Sequence, residues 1–340
     1  MGHYNLALVG FGNVGRAFAR LLLRKQDELR ARYNLTFAVT GIATARHGCA
    51  IDPEGLDLER ALTESDLGAL STLPLKSSKS MLSFIRNSGA DVLFENSPVN
   101  YETGQPAVSH LLTALEMGMH AITANKGPVV HAYRKLTDLA QAKGLKFYFE
   151  SAVMDGAPIF SLFRETLPAA DLRSFMGVLN STTNLILTRM ESGESFEKAV
   201  AFAQTIGVPE TDPSGDIDGW DAAVKVAALV TVLMDFPLKP DQVEREGIRR
   251  ITPELIYTAR TAGKRWKLVC SAQRTKTGVK GRVAPEMLPA TSPLYQVEGT
   301  TSMVQFDTDV LGLLSVVNSD PGPKTTAYGL LADFINAVRE

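Results

Sequence analysis

Carboxylates crowd one short segment of the sequence, and a lysine follows it. The acids are Glu210, Asp212, Asp216, Asp218 and Asp221, and the lysine is Lys225. Asp221 and Lys225 are four residues apart and therefore share one face of a helix, in which most neighbouring residues are apolar. We predict that this pair faces inward, where a lysine can serve as acid or base. The alternative interpretation is a surface ion pair beside a solvated loop, with Asp218 as a helix N-cap.

A second lysine follows a predicted strand. Lys126 lies in the run Asn125-Lys-Gly-Pro128, directly after the strand His120–Thr123. Ligands of open parallel sheets bind beyond the carboxyl ends of the strands, so a lysine at this end is well placed for chemistry. It could stabilise negative charge that develops on a carbonyl oxygen. The alternative is an ordinary surface charge.

A glycine-rich turn opens the chain. Gly10, Gly12 and Gly15, with Asn13 and Val14 between them, follow the apolar run Leu6–Val9 and open a helical pattern. Gly10 permits a tight turn, Gly12 lets a pyrophosphate approach the backbone, and Gly15 allows close packing of helix and strand. The context of strand and helix indicates a dinucleotide site rather than a structural turn.

The end of the second strand bears on the choice of cofactor. An acid at this point would bind the adenosine ribose and favour NAD, but the sequence reads Ala43-Thr-Ala-Arg-His47, with no acid before Asp52. Arg46 suits a 2′-phosphate, because its planar fork matches phosphate oxygens. We therefore expect NADP in preference to NAD. That Arg46 is a solvated loop residue remains the alternative.

The predicted elements change character near residue 150. Up to that point strands and helices alternate: the strands are Leu6–Val9, Thr36–Ala43, Asp91–Phe94, His120–Thr123 and Lys146–Phe149, and the helices include Val14–Ala31, Gly104–Met117 and Val129–Ala142. This alternation predicts an α/β fold whose N-terminal Rossmann domain, residues 1–150, contains a doubly wound parallel sheet.

The remaining residues predict a second α/β domain. Helical patterns dominate residues 185–234, interrupted by a polar loop over 209–219. Four strands with alternating faces follow, and they are Trp266–Ser271, Val279–Val283, Ser302–Phe306 and Val310–Val317. We expect residues 151–320 to form a substrate-binding, catalytic and dimerisation domain with a mostly antiparallel sheet. A last helix, 325–338, is expected to pack back on the Rossmann domain.

Composition excludes several classes of protein. The 340 residues carry 35 lysines and arginines against 37 acids, a net charge of −2, which gives no attraction to nucleic acid or to an anionic membrane. No apolar stretch approaches the roughly 20 residues that span a bilayer. Cys49 and Cys270 stand apart, so neither a disulfide framework nor a zinc site is expected. These features predict a cytoplasmic enzyme acting on a small molecule.

Over nearly its whole length the sequence resembles the homoserine dehydrogenase family. The resemblance rests on the glycine-rich turn, Thr123-Ala-Asn-Lys-Gly127, Leu179-Asn-Ser-Thr-Thr-Asn184, and the spacing of the acids with Lys225. It implies NAD(P)-dependent interconversion of L-aspartate 4-semialdehyde and L-homoserine, in the biosynthesis of threonine and methionine. It also implies a homodimer.

The resemblance assigns roles to individual residues. Lys225, Lys126 and Asp221 match the catalytic positions, and Glu210, Asp216, Asn180 and Thr182 the substrate site. We assign Asn96, Ser97 and Lys126 to the cofactor, together with the glycine-rich turn and Arg46. The family also binds a monovalent cation, Na⁺ or K⁺, near the domain hinge, which here corresponds to Glu150, Val153, Asp155 and Ala157.

Some residues depart from the family pattern. Ser181 stands where the family usually has glycine, and Met154 and Asp155 occupy its glycine-rich hinge. These changes leave open a related NAD(P)-dependent dehydrogenase of another small amino or hydroxy acid. A non-catalytic NADP-binding sensor is a further alternative, although both lysines are present. Because the chain ends at Glu340, shortly after the last predicted helix, we expect no threonine-sensing domain and no inhibition by threonine.

Overall fold

The computed structural model describes residues 1–64, 67–70, 80–208 and 212–339. The chain divides into two compact units. The first consists of Met1–Pro158 with Pro323–Glu340, and the second of Ile159–Gly322. In the described part of the chain, no helix is both long enough and apolar enough to cross a membrane.

The first unit is built on a six-stranded sheet. Its strands are β1 (Gly2–Val9), β2 (Leu35–Ala43), β3 (Cys49–Ile51), β4 (Val92–Glu95), β5 (His120–Thr123) and β6 (Phe147–Tyr148). The helices between them are α1 (Asn13–Tyr33), α2 (Leu58–Thr63), α3 (Met81–Asn87), α4 (Ala107–Glu116) and α5 (Lys126–Ala142). The strand order is β3-β2-β1-β4-β5-β6.

The predicted parallel sheet is confirmed for five of these strands. β1 pairs in parallel with β2 and β4, β4 with β5, and β5 with β6. The sixth strand, β3, runs antiparallel to β2 and makes the sheet mixed. Three residues are too few for an alternating pattern, so the sequence did not indicate this hairpin.

The second unit contains another six-stranded sheet and most of the remaining helices. In chain order its elements are β7 (Leu172–Val178), α6 (Ser181–Glu191), α7 (Phe196–Thr205), α8 (Ser214–Ile217), α9 (Trp220–Leu233), β8 (Glu244–Arg245), α10 (Pro253–Thr261), β9 (Lys264–Thr275), β10 (Gly278–Pro289), β11 (Ser302–Thr308) and β12 (Gly312–Asn318). The strand order is β12-β11-β7-β9-β10-β8. All pairs are antiparallel except the short pair of β8 with β10, which confirms a mostly antiparallel sheet.

Two details of this sheet differ from the predictions. β7 was not predicted, because Gly177 weakens the strand pattern; the glycine is required since a Cβ there would lie 2.5 Å from the Met303 carbonyl oxygen. The fourth predicted strand began at Val310, but Val310 and Leu311 lie in the turn before β12, where the Leu311 N–H donates to Thr308 Oγ1.

The last helix, α11 (Pro323–Val338), belongs to the first unit. Leu330 and Phe334 are fully buried in the core of that unit, and the Phe334 ring contacts the rings of Phe94 and Tyr4. The helix also approaches the backbone closely, because Gly329 lies against Gly156. The described core of the first unit therefore includes residues from both ends of the chain.

A charged side chain lies in the core of the second unit. Lys267 on β9 is 0% exposed, and its ammonium donates to Asn184 Oδ1 at 3.0 Å and to the Val297 carbonyl oxygen. The Asn184 amide in turn donates to the carbonyl oxygens of Gly299 and Thr301. Burial, assisted by the charge of Arg265, lowers the pKa of Lys267 to about 8. The lysine thus joins α6 to the loop before β11 at the cost of burying a charge.

This pKa predicts a pH-dependent stability. Between pH 8 and the ordinary pKa of 10.5, the unfolded chain holds a proton on Lys267 that the folded chain has lost. The free energy of unfolding of the wild type should therefore rise, relative to Lys267→Met, as the pH increases from 7 to 10.5. We expect a gain of about 3 kcal/mol, because one pKa unit corresponds to about 1.4 kcal/mol. Urea unfolding at several pH values measures it.

The exposed Lys276 provides the control, since Lys276→Met should give a difference from wild type that does not vary with pH. A constant difference between the wild type and Lys267→Met from pH 7 to pH 10 would contradict the expectation.

Candidate active site

The glycine-rich turn joins β1 to α1, and two of its three glycines have no room for a side chain. Gly10 has φ +93°, and a Cβ there would lie 2.4 Å from the Asn96 carbonyl oxygen. A Cβ on Gly15 would lie 2.4 Å from the carbonyl oxygen of Gly10. Around Gly12, by contrast, no described atom lies within 4 Å of an added Cβ. The turn is closed on the protein side and open beside Gly12, which caps α1 just before Asn13 and Val14.

The loop after β4 lies against this turn. The Asn96 N–H donates to the Val9 carbonyl oxygen at 2.7 Å. The side-chain amide of Asn96 is buried, yet neither its nitrogen nor its oxygen has a hydrogen-bond partner among the described residues. Buried polar groups are normally satisfied, so an orphaned amide beside a glycine-rich turn fits a polar ligand such as a dinucleotide. This observation supports the fit of a nicotinamide cofactor.

Arg46 lies in the turn between β2 and β3. Its side chain is exposed, and the turn is closed by the Thr44 N–H, which donates to the Gly48 carbonyl oxygen at 2.9 Å. The His47 N–H donates to Thr44 Oγ1 at 2.7 Å. None of the residues from Thr44 to Gly48 is acidic, so the turn presents Arg46 without a competing carboxylate of its own.

Lys126 is the first residue of α5. Asn125 caps that helix, since its Oδ1 accepts from the Gly127 N–H at 2.9 Å, while its Nδ2 donates to the Ser97 carbonyl oxygen at 3.0 Å. The structure therefore brings Lys126 and Ser97 to neighbouring loops of the first unit, at the carboxyl ends of β5 and β4. Lys126 itself is half-buried.

In the second unit, Lys225 and Asp221 form an ion pair on α9. Their side chains are 15% and 11% exposed, and Lys225 Nζ lies 2.9 Å from Asp221 Oδ2. The ammonium also donates to the Leu179 carbonyl oxygen at 2.6 Å. The alternative of a surface ion pair does not hold, because α9 is buried on most of its surface.

The start of α6 meets this pair. Asn180 Nδ2 donates to Asp221 Oδ2 at 3.0 Å and to Asp216 Oδ1 at 2.6 Å, and Thr182 Oγ1 donates to Asp216 Oδ2 at 3.0 Å. Five of the residues predicted from the sequence therefore lie in one connected network. They are Asn180, Thr182, Asp216, Asp221 and Lys225.

The electrostatics of Asp216 distinguish it from an ordinary surface acid. Burial and the nearby charge of Asp221 raise the pKa of Asp216, and the hydrogen bonds from Asn180 and Thr182 only partly oppose this effect. A cation placed beside the carboxylate would favour its ionised form. Asp216 is therefore suited to receive an ammonium group.

Other residues of the acidic segment lie elsewhere. Asp218 is not a helix N-cap, as the alternative interpretation supposed. It is the C-cap residue of α8, Gly219 occupies the N-cap of α9, and the Asp218 carboxylate pairs with Arg249 through two hydrogen bonds. Gly219 has φ +79°, a conformation that aspartate adopts less readily than glycine. Glu210 lies outside the described residues.

Ser181 and the segment Glu150–Ala157 mark the departures noted in the sequence. Ser181 begins α6, and its hydroxyl lies 3.3 Å from that of Ser302. Met154 and Asp155 both have positive φ, and Thr326 Oγ1 donates to the Asp155 carboxylate at 3.1 Å. Glu150 and Val153 are buried, whereas Ala157 is half-buried. Within the described ranges, no three His, Cys, Asp or Glu side chains cluster as a metal site.

Sequence reasoning missed the buried residues that connect the loops of the first unit. Glu95, His110 and Thr123 form a hydrogen-bonded group behind Ser97 and Asn125. A signal did exist for Glu95, which is the one acid at the end of the apolar run Val92–Phe94. His110 carried no such signal, because a single histidine in a helix is unremarkable in sequence.

Comparison with known proteins gives consistent matches. The family model described as the NAD binding domain of homoserine dehydrogenase matches residues 10–150, and the model described as homoserine dehydrogenase matches residues 158–335. The NAD(+)-dependent homoserine dehydrogenase of Pseudomonas canavaninivorans is 34% identical over 339 residues, which cover 99% of this chain and 96% of the relative. The homoserine dehydrogenase of Methanocaldococcus jannaschii is 38% identical over 335 residues, 98% of each protein.

A solved structure has a similar fold over nearly the whole length of this chain. It is a hyperthermophilic archaeal homoserine dehydrogenase in complex with NADPH, with a TM-score of 0.82 and 28% identity. The match covers 99% of this chain and 98% of the other.

Proposed function

The chain belongs to the homoserine dehydrogenase family and, as a member, interconverts L-homoserine and L-aspartate 4-semialdehyde with a nicotinamide cofactor; we propose that Lys225 transfers the proton in this reaction. One observation carries the proposal, namely the network in which Lys225 and Asp221 join Asn180, Thr182 and Asp216. When bound, the cofactor accepts the hydride from homoserine or supplies it to the aldehyde.

Lys225 has the contacts that proton transfer requires. In the reductive direction its ammonium gives a proton to the carbonyl oxygen, and in the oxidative direction its neutral amine takes the hydroxyl proton. Asp221 and the Leu179 carbonyl oxygen hold the Lys225 ammonium in place, and in this proposal the same ammonium reaches the substrate oxygen. Asp221 therefore orients the lysine and balances its charge.

Lys126 is proposed as the second catalytic lysine. Its position after Asn125, at the carboxyl end of β5, is where ligands of such sheets bind. An ammonium there would stabilise negative charge on the reacting oxygen, and it would also meet the cofactor. In the same proposal Gly10, Gly12, Asn13, Val14 and Gly15 hold the pyrophosphate, while Asn96 and Ser97 meet the nicotinamide half.

The substrate amino group is proposed to bind carboxylates of the second unit. Asp216 is held by Asn180 and Thr182, and its pKa is raised because burial and the charge of Asp221 outweigh these hydrogen bonds and the charge of Lys225. An ammonium in contact with it would restore the charged form. Glu210 completes this group in the proposal, on the strength of the family pattern in the sequence.

We propose NADP as the preferred cofactor. The exposed Arg46 and the absence of acids from Thr44 to Gly48 support binding of a 2′-phosphate. The relatives named above include one that is NAD(+)-dependent and one solved with NADPH, so family membership alone does not decide the choice.

A monovalent cation is proposed at the segment Glu150–Ala157. In this proposal the ligands are mostly backbone carbonyls of the segment that contains Glu150, Val153, Asp155 and Ala157, and such hard oxygen donors suit Na⁺ and K⁺. The buried position of Glu150 fits a structural ion, and no chemical step is assigned to it.

We further propose a homodimer that forms through β12. This strand is at the edge of the second sheet, and two of the three exposed side chains on its outward face are apolar, Leu313 (68% exposed) and Val317 (55% exposed); the third is Ser315. An exposed apolar edge strand offers unpaired backbone groups and is normally covered. A second copy of the chain, related by a two-fold axis, can cover it with the same strand.

A cytoplasmic location and a biosynthetic role are the remaining parts of the proposal. Cys49 and Cys270 are not joined in a disulfide, and reduced cysteines are usual in the cytoplasm. Homoserine is a precursor of threonine and methionine, so reduction of the semialdehyde is the direction we propose in the cell.

The proton-transfer role predicts a large loss of turnover in Lys225→Met. The variant keeps the length of the side chain but cannot carry a proton, so we expect kcat to fall at least 10²-fold. Homoserine-dependent formation of reduced nicotinamide at mildly alkaline pH measures it. The exposed Lys276→Met is the matched control and should retain wild-type turnover. Near-normal kcat in Lys225→Met would remove the acid–base assignment.

The 2′-phosphate role predicts a change in cofactor preference on substitution of Arg46. In Arg46→Asp the carboxylate would repel the phosphate and favour the ribose hydroxyls of NAD, so the ratio of kcat/KM for NADP to that for NAD should fall at least tenfold. Parallel kinetics with both cofactors give this ratio. An unchanged ratio would mean that Arg46 is only a solvated turn residue.

The β12 interface predicts that acidic substitutions separate the dimer. Leu313→Glu with Val317→Glu places four like charges at the contact of two copies, and we expect the particle mass from light scattering to halve. Tyr257→Glu, on exposed apolar surface of α10, should leave the mass unchanged. A wild type that is monomeric, or a double variant that stays dimeric, would argue against this interface.

A further inference from the structure

The carboxylate of Glu95 is fully buried at the end of β4 and is hydrogen-bonded to three different segments. The side chain is 0% exposed. Its Oε1 accepts from the Ser97 N–H at 3.2 Å and from the Ser97 hydroxyl. Oε1 also lies 3.3 Å from His110 Nδ1 on α4, and Oε2 lies 3.3 Å from Thr123 Oγ1 on β5, whose one proton it shares with the Glu95 carbonyl oxygen. A single buried acid thus joins the ends of two strands and a helix.

The contacts continue from Thr123 to Lys126. Thr123 Oγ1 donates to the Glu95 carbonyl oxygen at 2.7 Å and accepts from the Asn125 N–H at 2.9 Å. Asn125 caps α5 immediately before Lys126 and donates from Nδ2 to the Ser97 carbonyl oxygen. Ser97 and Lys126 are therefore fixed relative to each other by two bridges, one through Glu95 and one through Asn125.

The packing of the loops supports the same coupling. A Cβ on Gly127 would lie 2.9 Å from Gly104 Cα and 3.2 Å from the Asn100 carbonyl oxygen. The loop that follows Ser97 is thus in close backbone contact with the first turn of α5. Because Gly104 and Gly127 carry no side chain that could adjust, a shift of this loop toward α5 would bring backbone atoms into overlap.

A role in stability alone would not require this arrangement. A buried carboxylate costs free energy unless it is hydrogen-bonded, and replacement of such a group by apolar residues is often neutral or stabilising. One partner of the Glu95 carboxylate, Ser97, lies in the loop proposed to meet the cofactor, and another, Thr123, ends β5 three residues before Lys126; the third, His110, is on α4. The Glu95 carboxylate therefore connects the loop after β4 with the end of β5, next to the start of α5.

We infer that Glu95 is a positioning residue for the cofactor side of the active site. It fixes the position of Ser97 relative to Lys126. The connection runs through Thr123, Asn125 and His110. The inference rests on the proposed roles of Ser97 and Lys126. Glu95 does not touch the substrate in this account and acts through the two loops.

The test compares substitutions at both ends of the bridge. Glu95→Gln keeps the shape but places an N–H₂ group among donors, and Thr123→Val removes the hydroxyl at equal volume. We expect each variant to weaken NADPH binding and lower kcat, by about tenfold for Glu95→Gln, the effect of losing a charge-assisted hydrogen bond. The conservative Thr123→Ser keeps the hydroxyl and should bind NADPH within about twofold of wild type. Fluorescence titration gives the Kd, and initial rates give kcat and KM.

A matched control separates positioning from stability. Glu191, a buried acid paired with Arg265 in the second unit, offers the same substitution, and Glu191→Gln should lower the Tm without changing the NADPH Kd or kcat. Because both bonds belong to one bridge, the double variant Glu95→Gln/Thr123→Val should lose less than the product of the two single losses.

The outcomes are distinguishable. If folded Glu95→Gln and Thr123→Val bind NADPH and turn over within twofold of wild type, or if Thr123→Ser is impaired as strongly as Thr123→Val, the inference is wrong. If Glu95→Gln does not fold, the comparison of Thr123→Val with Thr123→Ser tests the inference. If the wild type binds NADPH but does not oxidise homoserine, the proposed function fails, while the NADPH Kd of the variants still tests Glu95.

Discussion

Lys225 and Asp221 lie one turn apart on a helix that is otherwise almost entirely apolar. Several contacts of the second unit serve to shield this ion pair from bulk water. A largely buried ammonium is stable only beside a compensating charge and hydrogen-bond acceptors. Asp221 supplies the charge, and the Leu179 carbonyl oxygen supplies an acceptor. The residues around them on α9 are alanines and valines, so the helix can be buried on most of its surface without further polar partners. Asn180 then links the pair to Asp216, which fixes the start of α6 against α9.

The constraint in the first unit is different, because backbone segments approach one another closely around the glycine-rich turn. Gly10 and Gly15 have no room for a Cβ, whereas Gly12 has open space. The orphaned amide of Asn96 lies next to this turn. Behind it, Glu95 and Asn125 hold the ends of β4 and β5 together. The loops are therefore joined by hydrogen bonds behind the turn, while the side-chain amide of Asn96 beside it has no hydrogen-bond partner among the described residues.

Much of this arrangement could be predicted from the sequence, and the failures have physical causes. The order of strands and helices in the first unit and the inward-facing pair on α9 follow from apolar periodicity and i, i+4 spacing. β7 could not be predicted, because its glycine is required by a neighbouring strand that lies more than a hundred residues away. The role of Glu95 likewise depends on partners on α4 and β5, which no local pattern reveals. The alternative interpretation, in which Asp218 caps the start of a helix, failed because a glycine with positive φ occupies that position instead.

The return of α11 to the first unit has a consequence for synthesis of the protein. Leu330 and Phe334 fill a core that residues 1–158 alone cannot complete. The whole second unit, Ile159–Gly322, is translated before α11 emerges. At about 5–20 residues per second, its 164 residues take roughly 8–33 s to add. During that interval the apolar surface destined for α11 is exposed on the nascent chain. The first unit to be translated is therefore the last to be completed. During this interval the exposed apolar surface is a binding site for a chaperone that recognises such surface.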